Sequence, residues 1–166
     1  MFIIRDLDNE SLSRRSVITI GAYDGVHRGH QEVIRQVREL AQELDCLSVV
    51  VTFDRHPASV VRPESAPKLL TDAEQKLELL AATGVDATCI VNFTKEEAMS
   101  PPEHFVQRVM AKALQTKVIV VGEDFHFGHR RSGNVATLRE FGKVFDFSVE
   151  PIRLVPRPDG VNEPVS

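Results

Sequence analysis

No stretch of this 166-residue chain is apolar for long enough to span a bilayer as a helix, which takes roughly 20 residues. Cysteine is scarce. The two present, Cys46 and Cys89, each lie in or beside a strand-like run and read as buried free thiols, not as a disulfide or a metal pair. Positive charge is not in excess. The net charge of −4 argues against a general nucleic-acid-binding surface, so any basic residue that matters acts locally. Internal repeats and low-complexity segments are missing, which excludes repeat architectures and long linkers. The first residues, Met1-Phe2-Ile3-Ile4-Arg5-Asp6, lack the charged-then-apolar order of a secretion signal. These absences lead to the expectation of a cytoplasmic protein with neither membrane nor nucleic acid as partner. What is present, 42% hydrophobic and 27% charged residues, suits one globular domain with a normal core.

Apolar runs and helical spacings alternate along the chain. Residues 2–8 could form a short strand or edge segment. Residues 17–20 are β-branched, end at Gly21 and read as a buried strand. From 29 to 44, Val33, Ile34, Val37, Leu40, Ala41 and Leu44 recur at helical spacing. A second strand, 47–53, leads into a loop punctuated by Pro57, Pro63 and Pro67. Thr71-x-x-Glu74 is a capping-box pattern whose helix runs to Gly84, a good residue just past a helix end. A third strand is expected at 88–93. Ser100-Pro101-x-Glu103 starts another helix, with proline at its first position and Phe105, Val106, Val109, Met110, Ala113 and Leu114 inward. Residues 117–121 and 145–152 are expected strands, 134–143 a helix, and 156–166 a loop. Such alternation implies an α/β, Rossmann-like open sheet of about five parallel strands with helices on both faces. Right-handed crossovers bring the strands' carboxyl ends to one rim, where open sheets bind ligands.

The polar clusters fall where the apolar runs stop. Gly21-Ala22-Tyr23-Asp24-Gly25-Val26-His27-Arg28-Gly29-His30 follows the first buried strand and opens a helix, whose unpaired N–H groups and partial positive charge suit a phosphate. Asp54 and His56 follow the second strand. Residues 122–133, with Asp124, Phe125, His126, Phe127, Gly128, His129, Arg130 and Arg131, follow the fourth. Each cluster also has a plain structural reading: Phe125 and Phe127 as core of a turn, Arg130 and Arg131 as a solvated pair, Glu96 and Glu97 as a solvated face, His104 and His129 as surface residues. A zinc site would need a third ligand at suitable spacing, and no Cys or Glu partner is evident beside the histidines. The clusters together suit nucleotidyl or phosphoryl transfer, in which a protein mainly positions groups and neutralises charge.

The pattern Gly21-x-Tyr23-Asp24-Gly25-Val26-His27-x-Gly29-His30 resembles the His-x-Gly-His signature of nucleotidyltransferases, in the form found in bacterial FAD synthetases, the FMN adenylyltransferases. Tyr23 stands where that family has Phe. Thr52-Phe53-Asp54-Arg55-His56-Pro57 is similar to its T-F-x-P-H-P, with Arg55 in place of Pro. Pro67-x-Leu69-Leu70-Thr71 also matches, as does Val121-Gly122-x-Asp124-Phe125-x-Phe127-Gly128 followed by Arg131-x-Gly133, the element specific to the flavin branch. The resemblance implies adenylyl transfer from ATP to FMN, giving FAD and pyrophosphate, with Mg2+ and without a covalent intermediate. It implies that His27 and His30 hold the ATP phosphates and stabilise the transition state, that Gly21, Asp24 and Gly25 shape the turn beside the adenosine, and that His56 contacts phosphate. Asp124 would hydrogen-bond the flavin, Phe127 would stack on or line it, and Gly128 and Arg131 belong to the same loop. The metal ligands are left unassigned.

The family also has a second ATP motif, S-S/T-x-I-R, soon after the fifth strand, and the bacterial enzymes continue into a riboflavin kinase module. The expectation is therefore that residues 1–166 are one FMN adenylyltransferase domain that stops before that motif, lacks the kinase module, keeps a flavin site and binds ATP weakly. Two alternatives stand beside this reading: a nucleotidyltransferase for another small phosphate, and a non-catalytic flavin-binding or regulatory module.

Overall fold

The structure, a computed structural model, describes residues 1–23, 28–54, 73–92, 94–122, 125–127, 132–152, 155–156 and 162–163. Six segments form one sheet: β1 (Phe2–Ile4), β2 (Ser16–Ile20), β3 (Leu47–Phe53), β4 (Ala87–Val91), β5 (Thr116–Val121) and β6 (Ser148–Pro151). Their order is β1-β4-β3-β2-β5-β6, and every neighbouring pair is parallel. The chain steps from β2 through β3 to β4 in one direction, then returns to the other side of β2 for β5 and β6. The switch in direction lies between β2 and β5, which pair through Val17↔Val118 and Ile18↔Ile119. The sixth strand is the amino-terminal segment, which docks beside β4 at the far edge.

Parallel strands are joined by crossovers that cover both faces, so their side chains are apolar whichever way they point. The pleat then assigns each residue to a layer. Ile18, Val49, Val51, Ile119 and Val121 face the helical segment around Val106, Val109 and Met110, and Leu138 of a later helix. Their alternates Val17, Val118 and Val120 pack on Val33, Val37 and Ala41, and Val50 meets Ile34 and Leu80. The first helix, α1 (Arg28–Glu43), presents its buried stripe to this second layer together with α2 (Ala73–Ala82). Gly84 ends α2 with φ of 84°, the left-handed conformation that glycine adopts without a steric cost. Thr71, the start of the expected capping box, lies outside the described residues.

The opposite layer departs from the sequence reading in its details. A short helix, α3 (Lys95–Met99), follows β4 and is capped by Thr94, whose hydroxyl accepts from the Glu97 N–H. Thr94-x-x-Glu97 is a capping-box spacing, the signal that marks it. Pro101 is the cap and Pro102 the first residue of α4 (Pro102–Phe105), one position later than expected. It continues as a π-helical stretch, Val106–Ala113, that buries the apolar residues read from the sequence. Glu97 is a correction. Glu96 is exposed, but the Glu97 side chain is only 9% exposed, because Arg108 reaches it at 2.6 Å from the π-helical stretch. The far residue of an ion pair on another helix leaves no mark in local spacing.

Asn134 caps α5 (Val135–Phe145), accepting from the Thr137 N–H at 2.9 Å. The helix ends at Asp146 in the left-handed conformation, and Phe147 turns into the core, so the last sheet strand begins at Ser148 and not at 145. Beyond it, Val155–Pro156 (β7) pairs antiparallel with Asn162–Glu163 (β8), where a loop was expected. Both cysteines are buried free thiols, as the sequence suggests, and burial pushes the Cys89 thiol up to about 12. Among the described residues no helix is long and apolar enough to cross a membrane.

Candidate active site

Two loops leave the carboxyl ends of the two strands at the topological switch, the place where open sheets of this kind bind ligands. The first follows β2. Gly21 extends the pairing with β3, its N–H donating to the Val51 carbonyl at 3.0 Å. The next carbonyl, that of Ala22, accepts the Thr52 hydroxyl at 2.9 Å. Tyr23 then takes φ of 51°, a conformation that costs a residue with a side chain free energy and persists only where its surroundings impose it. Here the surroundings are explicit. The Tyr23 ring is buried, and its hydroxyl donates to Thr19 Oγ1 at 3.1 Å. A Cβ on Gly21 would come within 2.9 Å of that ring, so the close approach demands glycine. Burial drives the Tyr23 phenol well above the usual range, outweighing the Thr19 hydrogen bond, and it stays a neutral donor.

His30 sits in the first turn of α1, half-buried, with its ring tilted over Tyr23 at a centroid distance of 4.8 Å. The single tyrosine of the chain therefore joins the glycine turn to the helix start: its ring packs on Gly21 and His30, and its hydroxyl reaches back into β2. A helix start of this kind supplies N–H groups and a partial positive charge to an anion.

The second loop follows β5. Gly122 accepts from the Phe125 N–H at 3.1 Å. Phe127 and Gly133 then form an antiparallel bridge, exchanging hydrogen bonds of 3.0 and 2.8 Å, which closes the base of the loop. Phe125 and Phe127 stack at 5.6 Å with planes 19° apart, and Phe105 lies 6.2 Å from Phe127. A Cβ on Gly133 would approach the Phe127 ring to 2.8 Å. Phe127 is thus held by its neighbours on the core while remaining half-buried. Phe105, read from the sequence as core alone, also belongs to this aromatic group.

Of the residues expected to form the site, Gly21, His30 and Phe127 are described. Gly21 and His30 share Tyr23 as a neighbour, and Phe127 stands in the separate aromatic group after the adjacent strand. His27, Asp24, Gly25, His56, Asp124, Gly128 and Arg131 lie outside the described residues, as do His129 and Arg130. His104 is exposed, as expected. Lys76, which no motif singled out, also reaches this rim from α2, donating to the Phe53 carbonyl at 3.2 Å and to Thr52 Oγ1 at 3.3 Å. Among the described residues no group of three or more His, Cys, Asp or Glu side chains converges as a metal site.

The chain is similar to known proteins over nearly its whole length. The FAD synthetase family model matches residues 9–161. The bifunctional riboflavin kinase/FMN adenylyltransferase of Pseudomonas fluorescens is 36% identical over 156 residues, which cover 93% of this chain and 50% of that protein. The protein of the same name from Haemophilus influenzae is 34% identical over 154 residues, 92% of this chain and 50% of its own length. The chain spans about half the length of the curated relatives it matches. A crystal structure described as a macrolide-efflux protein from Streptococcus pneumoniae superposes with a TM-score of 0.77 at 24% identity, over 96% of this chain and 52% of that one, a likeness of fold alone. With the family model spanning nearly the whole sequence and the sheet carrying the two signature loops on adjacent strands, the chain belongs to the FAD synthetase family.

Proposed function

We propose that this chain transfers the adenylyl group of ATP to FMN, giving FAD and pyrophosphate. One observation carries the reading: the glycine turn with its helix start and the aromatic loop leave neighbouring strands, β2 and β5, on the same rim. A phosphate-binding element and a flat apolar element side by side suit a reaction between a nucleotide and a flavin phosphate.

In this reading a phosphate oxygen of FMN attacks the α-phosphorus of ATP. The new O–P bond forms as the bond to the β-phosphate bridging oxygen breaks, and pyrophosphate leaves with that electron pair. His27 and His30 donate hydrogen bonds to the phosphate oxygens as charge builds on them. Backbone N–H groups at the start of α1 add their dipoles. Gly21, Asp24 and Gly25 shape the turn at the nucleotide, and His56 contacts phosphate from the loop after β3. Asp124 and Phe127 take the flavin ring, with Gly128 and Arg131 in the same loop. Magnesium enters as part of the substrate, Mg-ATP. Among the described residues no group of three or more His, Cys, Asp or Glu side chains converges, and no step is assigned to the ion. Residues 1–166 act as one nucleotidyltransferase domain in the cytoplasm.

The test is FAD formation from FMN and Mg-ATP, followed by flavin chromatography and pyrophosphate release. His27→Ala and His30→Ala are each expected to lower the rate by about 100-fold or more, the scale on which transition-state donors act, with FMN binding retained. Unchanged rates in both variants, or no FAD from the unsubstituted chain, would overturn the proposal.

A further inference from the structure

Phe127 is supported by a ring from another part of the chain. Between β4 and β5 the backbone runs through α3 and α4 into the π-helical stretch Val106–Ala113. Phe105 ends α4, and its ring lies 6.2 Å from that of Phe127 after β5. Arg108, in the first turn of the π stretch, reaches elsewhere. Its Nη2 donates to Glu97 Oε2 of α3 at 2.6 Å, and its charge acts on the Cys89 thiol of β4. One short segment is therefore tied to α3 at Arg108 and to the aromatic loop at Phe105.

The backbone changes register beside these two contacts. The Val106 N–H bonds to the Pro102 carbonyl in α-helical fashion, whereas the Leu114 N–H bonds to Val109 in the wider π pattern. Runs of π-helix are rare, and this one covers eight residues. Val106, Val109, Met110 and Ala113 of the stretch are fully buried in the core. With that stripe fixed, the register decides which way Phe105 and Arg108 point. Relaxation to an α-helix would turn both away from their partners.

The ion pair is a poor source of stability. The Glu97 side chain is 9% exposed and that of Arg108 27%. Glu97 Oε1 and Arg108 Nε are also buried and, among the described residues, make no hydrogen bond. Two charges leave water for one bond, and apolar side chains of similar size would fill the space at least as well. What a charged pair adds is direction, since it is satisfied in one arrangement only.

We propose that Glu97 and Arg108 are positioning residues for the flavin half of the site, holding the π register that keeps the Phe105 ring against Phe127. This rests on the functional reading above and adds to the flavin side two residues outside both signature loops. The links run to the loop after β5 and not to the glycine turn, so the effect falls on FMN and not on ATP.

The experiment is calorimetric titration with FMN and, separately, with Mg-ATP, below the melting temperature of each protein. The proteins are the unsubstituted chain, Arg108→Met, Glu97→Gln and the Glu97→Leu/Arg108→Met double variant. Arg108→Met is expected to weaken FMN binding by about threefold to tenfold, the scale of one aromatic contact, and Mg-ATP binding by less than about twofold. In turnover the KM for FMN rises while that for ATP holds. The double variant leaves no charge unpaired, so it regains the melting temperature that Arg108→Met loses, yet its FMN binding stays weak. In NMR spectra of the free chain the Phe105 and Phe127 rings share an NOE, which Arg108→Met abolishes. FMN affinity that returns together with the melting temperature in the double variant overturns the proposal, because the loss was then one of stability. Equal weakening of both ligands, or survival of the NOE in Arg108→Met, overturns it as well. Glu97→Gln, which keeps the side chain's size, decides by the same split if Arg108→Met does not fold. The binding split is read without turnover, so a failure to make FAD counts against the functional reading alone. Undetectable FMN binding by the unsubstituted chain counts against both.

Discussion

The two loops at the switch are fixed by opposite means. The turn after β2 is pinned atom by atom: Gly21 to Val51, Ala22 to Thr52, Tyr23 to Thr19. Among its described residues the loop after β5 is held largely by area: beside the Gly122–Phe125 hydrogen bond and one antiparallel bridge stand the rings, Phe125 on Phe127 and Phe127 against Phe105. Hydrogen bonds are directional and hold a backbone to within a fraction of an ångström. Ring contacts are weak per atom, numerous and tolerant of sliding. The difference suits the two proposed ligands. A phosphorus centre must be presented at one distance and angle to be attacked in line, whereas a flat flavin ring needs a surface.

Substitutions can break this contrast in order of size. Phe105→Ala removes a buried ring from beneath Phe127 and should cost about 3–5 kcal/mol of stability, read from urea unfolding. Below its melting temperature the variant should lose FMN affinity and keep Mg-ATP affinity. Proportional loss of both would show that the two loops are one unit. Gly133→Ala forces a methyl group toward the Phe127 ring and should cost about 1–3 kcal/mol, again with the deficit in FMN titration and not in ATP titration. Tyr23→Phe is the smallest test. It keeps the ring over Gly21 and His30 but deletes the hydroxyl that Thr19 accepts from, for about 0.5–1 kcal/mol by thermal unfolding. Since a phenylalanine is the family's usual residue here, FAD formation should survive. A large loss of activity would mean that the Tyr23 hydroxyl, and not the ring alone, sets the turn in this chain.

Much of the architecture was legible in the sequence because it is written in local spacing. The buried runs ending at Gly21, Phe53 and Gly122 gave both the strands and the rim. The stripe from Val33 to Ala41 gave α1, and Gly84 gave the end of α2. What escaped was non-local or determined by a single conformation. Nothing near Phe2 says that it pairs with Ala87 at the far edge. Glu97 looks like a solvated charge until the π-helical stretch brings Arg108 to it, and among the described residues Glu97 Oε1 and Arg108 Nε are buried with no further hydrogen-bond partner. The start of β6 was read three residues early because Asp146, one left-handed residue, turns Phe147 back into the core. At the site, the glycines, histidines and phenylalanines were visible as motifs. The links that support them, Thr52 to Ala22, Lys76 to Thr52 and Phe105 to Phe127, join residues far apart in sequence and follow no spacing rule.

The strand order carries a consequence for how the molecule is made. β2 emerges from the ribosome early, but one of its two neighbours, β5, is synthesised only after β3, β4 and all the intervening helices. Until then a nascent chain carries Val17 and Ile18 on an open strand edge, a template for pairing with the wrong partner. The rim where β2 meets β5 is thus among the last features of the fold to exist, and a chain that stalls before Thr116 has a phosphate turn without the neighbouring strand.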